Sequence, residues 1–316
     1  IPLRMLVCVT GVSGSGKSTL VEETLYRAAA RAFHHASPPM GRFRAIKGLE
    51  HLSGVRLIDQ QPIGRTPRSN PLTYLQSFDE VRHLFASELS ARRHGLTPAH
   101  FSFNTAGGRC DRCEGNGYEK LEMYFFEDMY ATCEACNGRR FKPQVLSIRY
   151  RGKTIHEVLN MTVDEGLCFF TESPKLIDTL KLLSTIGLGY LRVGQSATTL
   201  SGGEAQRLKV AAELKQTSAR NLLYIMDEPT TGLHLDDIKK LLAVLQKLVD
   251  TGHTVVVVEH NLDVVKTADW IIDLGPEGGS AGGYIIAEGT PEHVATLPHS
   301  ETGRFLAKAL GEALRP

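Results

Sequence analysis

An excess of charge of either sign is missing from this chain: 36 Lys+Arg face 35 Asp+Glu, a formal net charge of +1. No whole-molecule field draws it to nucleic acid, so any DNA contact must come from local basic stripes. Long hydrophobic runs are missing as well. No apolar stretch reaches transmembrane length and no signal peptide is recognisable, which excludes a membrane-spanning helix. In that setting the six cysteines read as reduced thiols of a cytoplasmic chain. Internal repeats and low-complexity tracts are also lacking, and the glycines from Gly275 to Gly283 form a turn. What remains is 316 residues with 42% hydrophobic content, enough for a full core in one large domain or two ordinary ones. The first residue is Ile1 and a strand begins within a few residues of it, so the chain reads as a fragment.

Met5 to Thr10 is an apolar, β-branched run, followed by a Gly/Ser loop and by helical apolar spacing from Ser18 to Ala30. A second such run, Leu222 to Met226, ends on Asp227-Glu228, and a third, Thr254 to Val258, ends on Glu259-His260. Apolar runs without alternation suit a parallel sheet buried on both faces. Asp236 to Val249 then reads as the crossover helix between the second and third strands. From Ser77 to about Lys215 the pattern changes to charged helices, a Gly-rich Cys-bearing patch and a long helical stretch, an insertion into the α/β core. The expected division is a core over 1–76 and 217–316, with an inserted helical domain over 77–216.

Gly11-Val12-Ser13-Gly14-Ser15-Gly16-Lys17-Ser18 fits G-x-x-x-x-G-K-[ST], after a strand and before a helix. Its glycines let backbone N–H groups and the helix N-terminus approach phosphate oxygens. Lys17 offsets β/γ charge, the Ser18 hydroxyl ligates Mg²⁺, and Ser13 and Thr19 complete the cradle. The alternative is an ordinary glycine turn. Asp227 at a strand end can hold Mg²⁺, and Glu228 can orient and deprotonate an attacking water, although acidic pairs also end strands by chance. Leu200-Ser201-Gly202-Gly203-Glu204-Ala205-Gln206-Arg207 matches the signature of ABC ATPases, with Ser201, Gly202 and Gly203 facing a partner's γ-phosphate; the plain reading is a capped helix. His260 resembles the switch histidine and Gln60 the Q-loop glutamine, with Gln61 as its alternative.

Cys110-Asp111-Arg112-Cys113 and Cys133-Glu134-Ala135-Cys136 form a C-x₂-C-x₁₉-C-x₂-C arrangement, a zinc signal. Four thiolates complete a tetrahedron with no open position, so such a metal is structural; a redox dithiol or disulfide is the competing reading. Cys8 and Cys168 read as packed thiols. Beside this module, at about 106–142, Arg139 to Lys153 carries six cations (Arg139, Arg140, Lys142, Arg149, Arg151, Lys153) and no acid, interleaved with Phe141 and Tyr150. Arg92, Arg93, Arg109 and Arg112 add to it. The stripe can track DNA phosphates or be a solvated face.

The order of these elements is that of an ABC-type P-loop ATPase. The longer runs go further: Asp59-Gln60-Gln61-Pro62-Ile63-Gly64-Arg65-Thr66-Pro67-Arg68-Ser69-Asn70-Pro71, Phe101-Ser102-Phe103-Asn104, Asp227-Glu228-Pro229-Thr230-Thr231-Gly232-Leu233-His234 and Asp273-Leu274-Gly275-Pro276-Glu277-Gly278-Gly279 resemble the second ATPase half of the UvrA family. His234 stands where most ABC proteins carry the D-loop aspartate, as in that family. The chain departs from the family pattern at Gln61, Leu75-Gln76-Ser77 and Ala106.

The resemblance implies an α/β ABC core with an inserted signature domain carrying a Cys₄ zinc module, and ATP, Mg²⁺ and one zinc as cofactors. It further implies composite ATP sites shared with a first ATPase half and a second protomer. Such an assembly loads onto duplex DNA, finds distorting lesions by deformability, and hands them to UvrB, a contact made through the other half. A transporter ATPase, a non-enzymatic DNA-binding module and a drug-resistance paralogue are the alternatives; the Cys₄ insertion counts against the first and the intact nucleotide motifs against the second.

Overall fold

Aliphatic and β-branched runs with no polar alternation bury both faces of the strands they form. In the computed structural model the described residues form eight strands, in chain order β1 (Leu6–Gly11), β2 (Gly54–Ile58), β3 (Tyr118–Leu121), β4 (Met129–Thr132), β5 (Leu222–Asp227), β6 (Thr254–Val258), β7 (Trp270–Gly275) and β8 (Tyr284–Gly289). The structure describes residues 1–34, 39–64, 66, 68–121, 129–216 and 221–313. They fall into two compact units, Ile1–Gln60 with Gln216–Pro316, and Gln61–Lys215. Residues 61–76 thus cluster with the second unit. Arg65 and Pro67 of the run quoted above, and 122–128 of the Cys-bearing module, lie outside the described residues.

The first unit is built on a six-stranded sheet in the order β2-β5-β6-β1-β7-β8. Every pairing is parallel except that of β7 with β8. The three expected strands are its centre: β1, β5 and β6 are buried almost throughout. One face packs Val7, Val9, Ile225, Val256 and Val258 against Val21 and Ala29 of the helix after the glycine loop. That helix is π-wound over Thr19–Tyr26 and α-wound over Arg27–His34. Helix Leu235–Asp250 packs on β6 and β1 and buries Leu241, Leu245 and Leu248; truncating one of these leucines to alanine costs about 2–5 kcal/mol. Because register pairs Asp227 with Val258 and Val9 with Val258, the carboxyl ends of β5, β6 and β1 form one edge. Ligands of open α/β sheets bind at such an edge.

The second unit is mainly helical. Its core is aromatic: Phe85, Phe101, Phe103, Phe141 and Phe170 are almost fully buried, with ring centroids 5.0 Å apart for Phe78 and Phe103 and 5.5 Å for Phe85 and Phe101. Reciprocal capping fixes where its helices start, as at Thr154 with Glu157 and Thr162 with Glu165. The antiparallel β3–β4 pair belongs to the Cys-bearing module. Among the described residues no helix is long and apolar enough to cross a membrane.

Candidate nucleotide-binding site and metal centre

Strand β1 runs directly into the glycine loop, and the loop into the helix, so the unsatisfied N–H groups and positive dipole end of that helix face the sheet edge. Gly11 must be glycine. Its φ is +135° and a Cβ there would lie 2.1 Å from the Leu274 carbonyl oxygen of β7. Lys17 Nζ donates to the carbonyls of Gly11 (3.0 Å) and Val12 (2.9 Å), which holds the ammonium over its own loop. Ser18 starts the helix without spending its hydroxyl on a cap bond. A second glycine-rich segment buttresses the loop: Gly279 N–H donates to the Gly14 carbonyl and Gly283 N–H to the Ser15 carbonyl, both at 3.1 Å. Of the N–H groups that follow these two carbonyls, that of Ser15 donates to the Val12 carbonyl at 3.2 Å, and that of Gly16 points away from the second segment. A cleft of about 480 Å³ lined by Gly14, Gly16, Thr19, Thr24, Gly279 and Gly283 lies beside the loop.

Asp227 ends β5, and burial, then Glu228 and Glu259, push its carboxyl up against the pull of Lys17. Burial and then Asp227 and Asp59 do the same to Glu22, an acid that sequence reasoning passed over. A divalent cation bound at Asp227 and Ser18 would relieve this crowding, so the donor set fits Mg²⁺. Glu228 adopts a left-handed backbone, φ +43°. Its N–H donates to the Val258 carbonyl at 2.9 Å, and Gln60 Nε2 donates to the carbonyls of Asp227 (3.4 Å) and Glu228 (3.3 Å). His260 Nδ1 lies 3.6 Å from Glu228 Oε1. Lys17, Gln60, Asp227, Glu228 and His260, distant in sequence, therefore meet at one sheet edge of the first unit.

In the second unit Ser201 precedes helix Gly202–Gln216. Its hydroxyl accepts from Glu204 N–H at 3.3 Å, while Glu204 accepts from Ser201 N–H at 2.7 Å and from Tyr190 Oη at 2.6 Å. This box uses a lone pair of Ser201 and leaves its proton available to an anion. The tyrosine had no signal in the sequence.

Cys110, Cys113, Cys133 and Cys136 bring their sulfurs within 4.8 Å of one another. Cys110 and Cys133 are 3.9 Å apart and Cys113 and Cys136 3.6 Å. A tetrahedron with Zn–S bonds of about 2.3 Å has edges of about 3.8 Å, whereas a disulfide needs about 2.05 Å. All four are free thiols, which disfavours the disulfide reading. Each CxxC turn is followed by left-handed residues, Glu114 and Gly115 in one and Asn137 and Gly138 in the other. Gly117 N–H points at Cys113 Sγ, 3.3 Å away, as expected of a thiolate to be stabilised. The cluster fits one closed zinc site. Cys8 is a packed thiol, as expected, but Cys168 is exposed, on the solvent side of helix Val163–Phe169.

The basic stripe is less open than its sequence suggests, because folding imports acids from outside it. Lys142 pairs with Asp111 at 2.8 Å, Arg149 with Glu157 at 3.4 Å and Arg151 with Glu172 at 3.4 Å. Arg140 turns inward over the Phe103 ring, 5.7 Å from its centroid, and donates to the Gly194 carbonyl. Upstream, Arg109 faces Glu114, and Arg112 is held by Glu119 and Glu134. Arg92, Arg93 and Arg139 are exposed and make no ion pair among the described residues.

UvrABC system protein A of Aquifex aeolicus is 55% identical over 310 residues, covering 98% of this chain and 34% of that protein. Its namesake from Methanothermobacter thermautotrophicus is 57% identical over 312 residues, 99% of this chain and 32% of that protein. The crystal structure of UvrA2 from Deinococcus radiodurans superposes with a TM-score of 0.89 at 47% identity, covering 98% of this chain and 37% of that one. No family model matches the chain. It spans about a third of the length of the curated relatives it matches. Likeness over almost the whole length of this chain, joined to the fold it shares with UvrA2, makes this chain a member of the UvrA family.

Proposed function

We propose that the chain is an ATPase half of a UvrA-type nucleotide excision repair protein, the second of two, and that it couples ATP hydrolysis to binding of damaged duplex DNA. The convergence of Lys17, Gln60, Asp227, Glu228 and His260 on one sheet edge carries this reading. In it the N–H groups of Gly14 and Gly16 and the Lys17 ammonium bind the phosphates, with Gly11, Ser13 and Thr19 shaping the loop. Ser18 and Asp227 would hold Mg²⁺, which when bound would supply positive charge against the phosphates. Glu228 orients a water and takes its proton as the oxygen attacks the γ-phosphorus. The bond from that phosphorus to the bridging oxygen breaks, and ADP leaves with the electron pair. His260 and Gln60 fix the geometry around Glu228. Ser201, Gly202 and Gly203 serve a nucleotide held by another half, so the competent unit requires a first UvrA-type half and a second protomer.

The Cys₄ cluster holds one structural zinc that stiffens the module, and Arg92, Arg93 and Arg139 are its first candidates for phosphate contacts, with Arg109, Arg112, Arg140 and Lys142 oriented by their acids and rings. UvrB is engaged by the full assembly through the other half, and the setting is cytoplasmic. The test is a comparison of Lys17→Ala with Glu228→Gln in the full-length protein. Lys17→Ala weakens nucleotide binding itself; Glu228→Gln keeps binding and loses single-turnover hydrolysis. Equal loss of binding in both refutes the division of roles.

A further inference from the structure

Glu259 is only 1% exposed and, among the described residues, faces no Lys or Arg within ion-pair distance. A buried carboxylate is costly unless its oxygens are hydrogen-bonded. Here both are, to different turns. Oε1 accepts from Thr230 N–H at 2.9 Å and Thr230 Oγ1 at 2.6 Å, in the turn that follows Glu228. Oε2 accepts from the N–H groups of His260 at 3.0 Å and Asn261 at 3.2 Å, in the turn after β6. Its own N–H donates to the Val9 carbonyl of β1 at 3.1 Å, which seats it on the strand that feeds the glycine loop.

We propose that Glu259 is a positioning residue that locks the turn bearing Glu228 to the turn bearing His260, so that the two groups keep one mutual geometry through the reaction. The inference rests on the ATPase reading above. Glu228 has a left-handed backbone that a non-glycine residue keeps only where its surroundings over-determine it. Three restraints converge on it: the Val258 carbonyl on its N–H, Thr231 N–H on its carbonyl, and Gln60 on the same carbonyl. Glu259 adds the fourth, two residues on, and is the one that also reaches the His260 turn. A hydrophobic residue of similar size would fill the space and leave four donors without an acceptor, releasing both turns at once.

The test uses the full-length protein with Glu259→Gln. The amide retains one acceptor oxygen and sets an NH₂ against the donors of one turn. ATP binding is expected to stay within about twofold, while kcat falls about tenfold or more with KM unchanged, as for loss of a hydrogen bond to a charged group. In nucleotide-free protein, amide exchange speeds up in peptides spanning 228–234 and 259–263 together. Thr230→Val, which deletes one donor without altering the carboxylate, gives a smaller fall, and the two changes combine less than additively; it serves also if Glu259→Gln does not fold. Wild-type kcat in both variants, unchanged exchange in both peptides, or binding lost in step with hydrolysis overturns the inference. Failure of the ATPase reading is distinguishable, since then the wild type and Glu228→Gln hydrolyse ATP equally poorly.

Discussion

Gly278→Ala tests whether the second glycine segment sets the shape of the phosphate loop. Gly278 has an ordinary φ of −88°, so the substitution imposes no backbone strain of its own. The added Cβ, however, would lie 2.7 Å from the Ser13 carbonyl oxygen. The two segments must separate by roughly half an ångström, an overpacking that costs about 1–3 kcal/mol. The nearest relief is to lengthen the bonds from Gly279 and Gly283 to the carbonyls of Gly14 and Ser15, which frees the Gly14–Ser15 and Ser15–Gly16 peptides of the loop. If the full cost falls on the nucleotide-competent loop, ATP and ADP affinity drop by about 5- to 150-fold. Equilibrium titration with a fluorescent nucleotide reads this directly. Gly279→Ala is the control: its Cβ meets nothing within 4 Å, but φ is +67°, so it strains its own segment by about 1–2 kcal/mol without pressing on the loop. Unchanged affinity in Gly278→Ala, or an equal loss in Gly279→Ala, refutes the buttress.

Cys133→Ser removes one of four ligands at a fully buried position; zinc content measured by atomic spectrometry is expected to fall from about one per chain toward none while nucleotide binding persists, and a folded wild type without zinc contradicts the site. Tyr190, though about half exposed, has its phenol pushed up to about 12 by partial desolvation and by the bond to Glu204. The unfolded chain therefore releases that proton first, near pH 10, and the stabilisation, complete below about pH 10, is lost as pH rises toward 12. The difference in urea midpoint between wild type and Tyr190→Phe should shrink over that window; a pH-independent difference removes the assignment. Arg139→Ala should lower duplex affinity for any sequence and reduce the salt slope by about one unit, whereas Arg140→Ala, which empties the space over Phe103, should chiefly lower the melting temperature.

Three of the four interior strands were legible because burial on both faces writes an uninterrupted apolar run: β6 is found at Thr254–Val258 as read, and β1 and β5 each differ by a residue at one or both ends, whereas β7, its run broken by the buried Asp273, went unread. The crossover helix extends one residue further at each end, Leu235–Asp250. Edge strands hid themselves. β2 carries an exposed Arg56, and β8 leaves Tyr284 and Ile285 more than half exposed, so neither has the apolar signature of its neighbours. At the site, motif residues announced themselves by spacing, whereas Glu22, Glu259 and Tyr190 act through contacts that spacing does not encode. Glu259 had one cue, an acid directly after a wholly apolar strand. Charge counted along the chain likewise passes over Asp111, Glu157 and Glu172, which folding brings beside the basic stripe.

The strand order also sets a timetable for the nascent chain. Among the described residues β1 finds its neighbours only in β6 and β7, and β2 its partner only in β5, all of them beyond the second unit in sequence. At about 5–20 residues per second, the roughly 160 residues from β2 to β5 take ~8–30 s to emerge and the roughly 240 from β1 to β6 take ~12–50 s. During that time the apolar faces of β1 and β2 have emerged without the strands that cover them. The second unit, whose contacts are internal, can consolidate while they wait. A slowed codon stretch before β5 therefore prolongs the exposure of two aggregation-prone strands, and a chaperone that shields residues 1–60 as they emerge matters more than one acting after β5, β6 and β7 have paired.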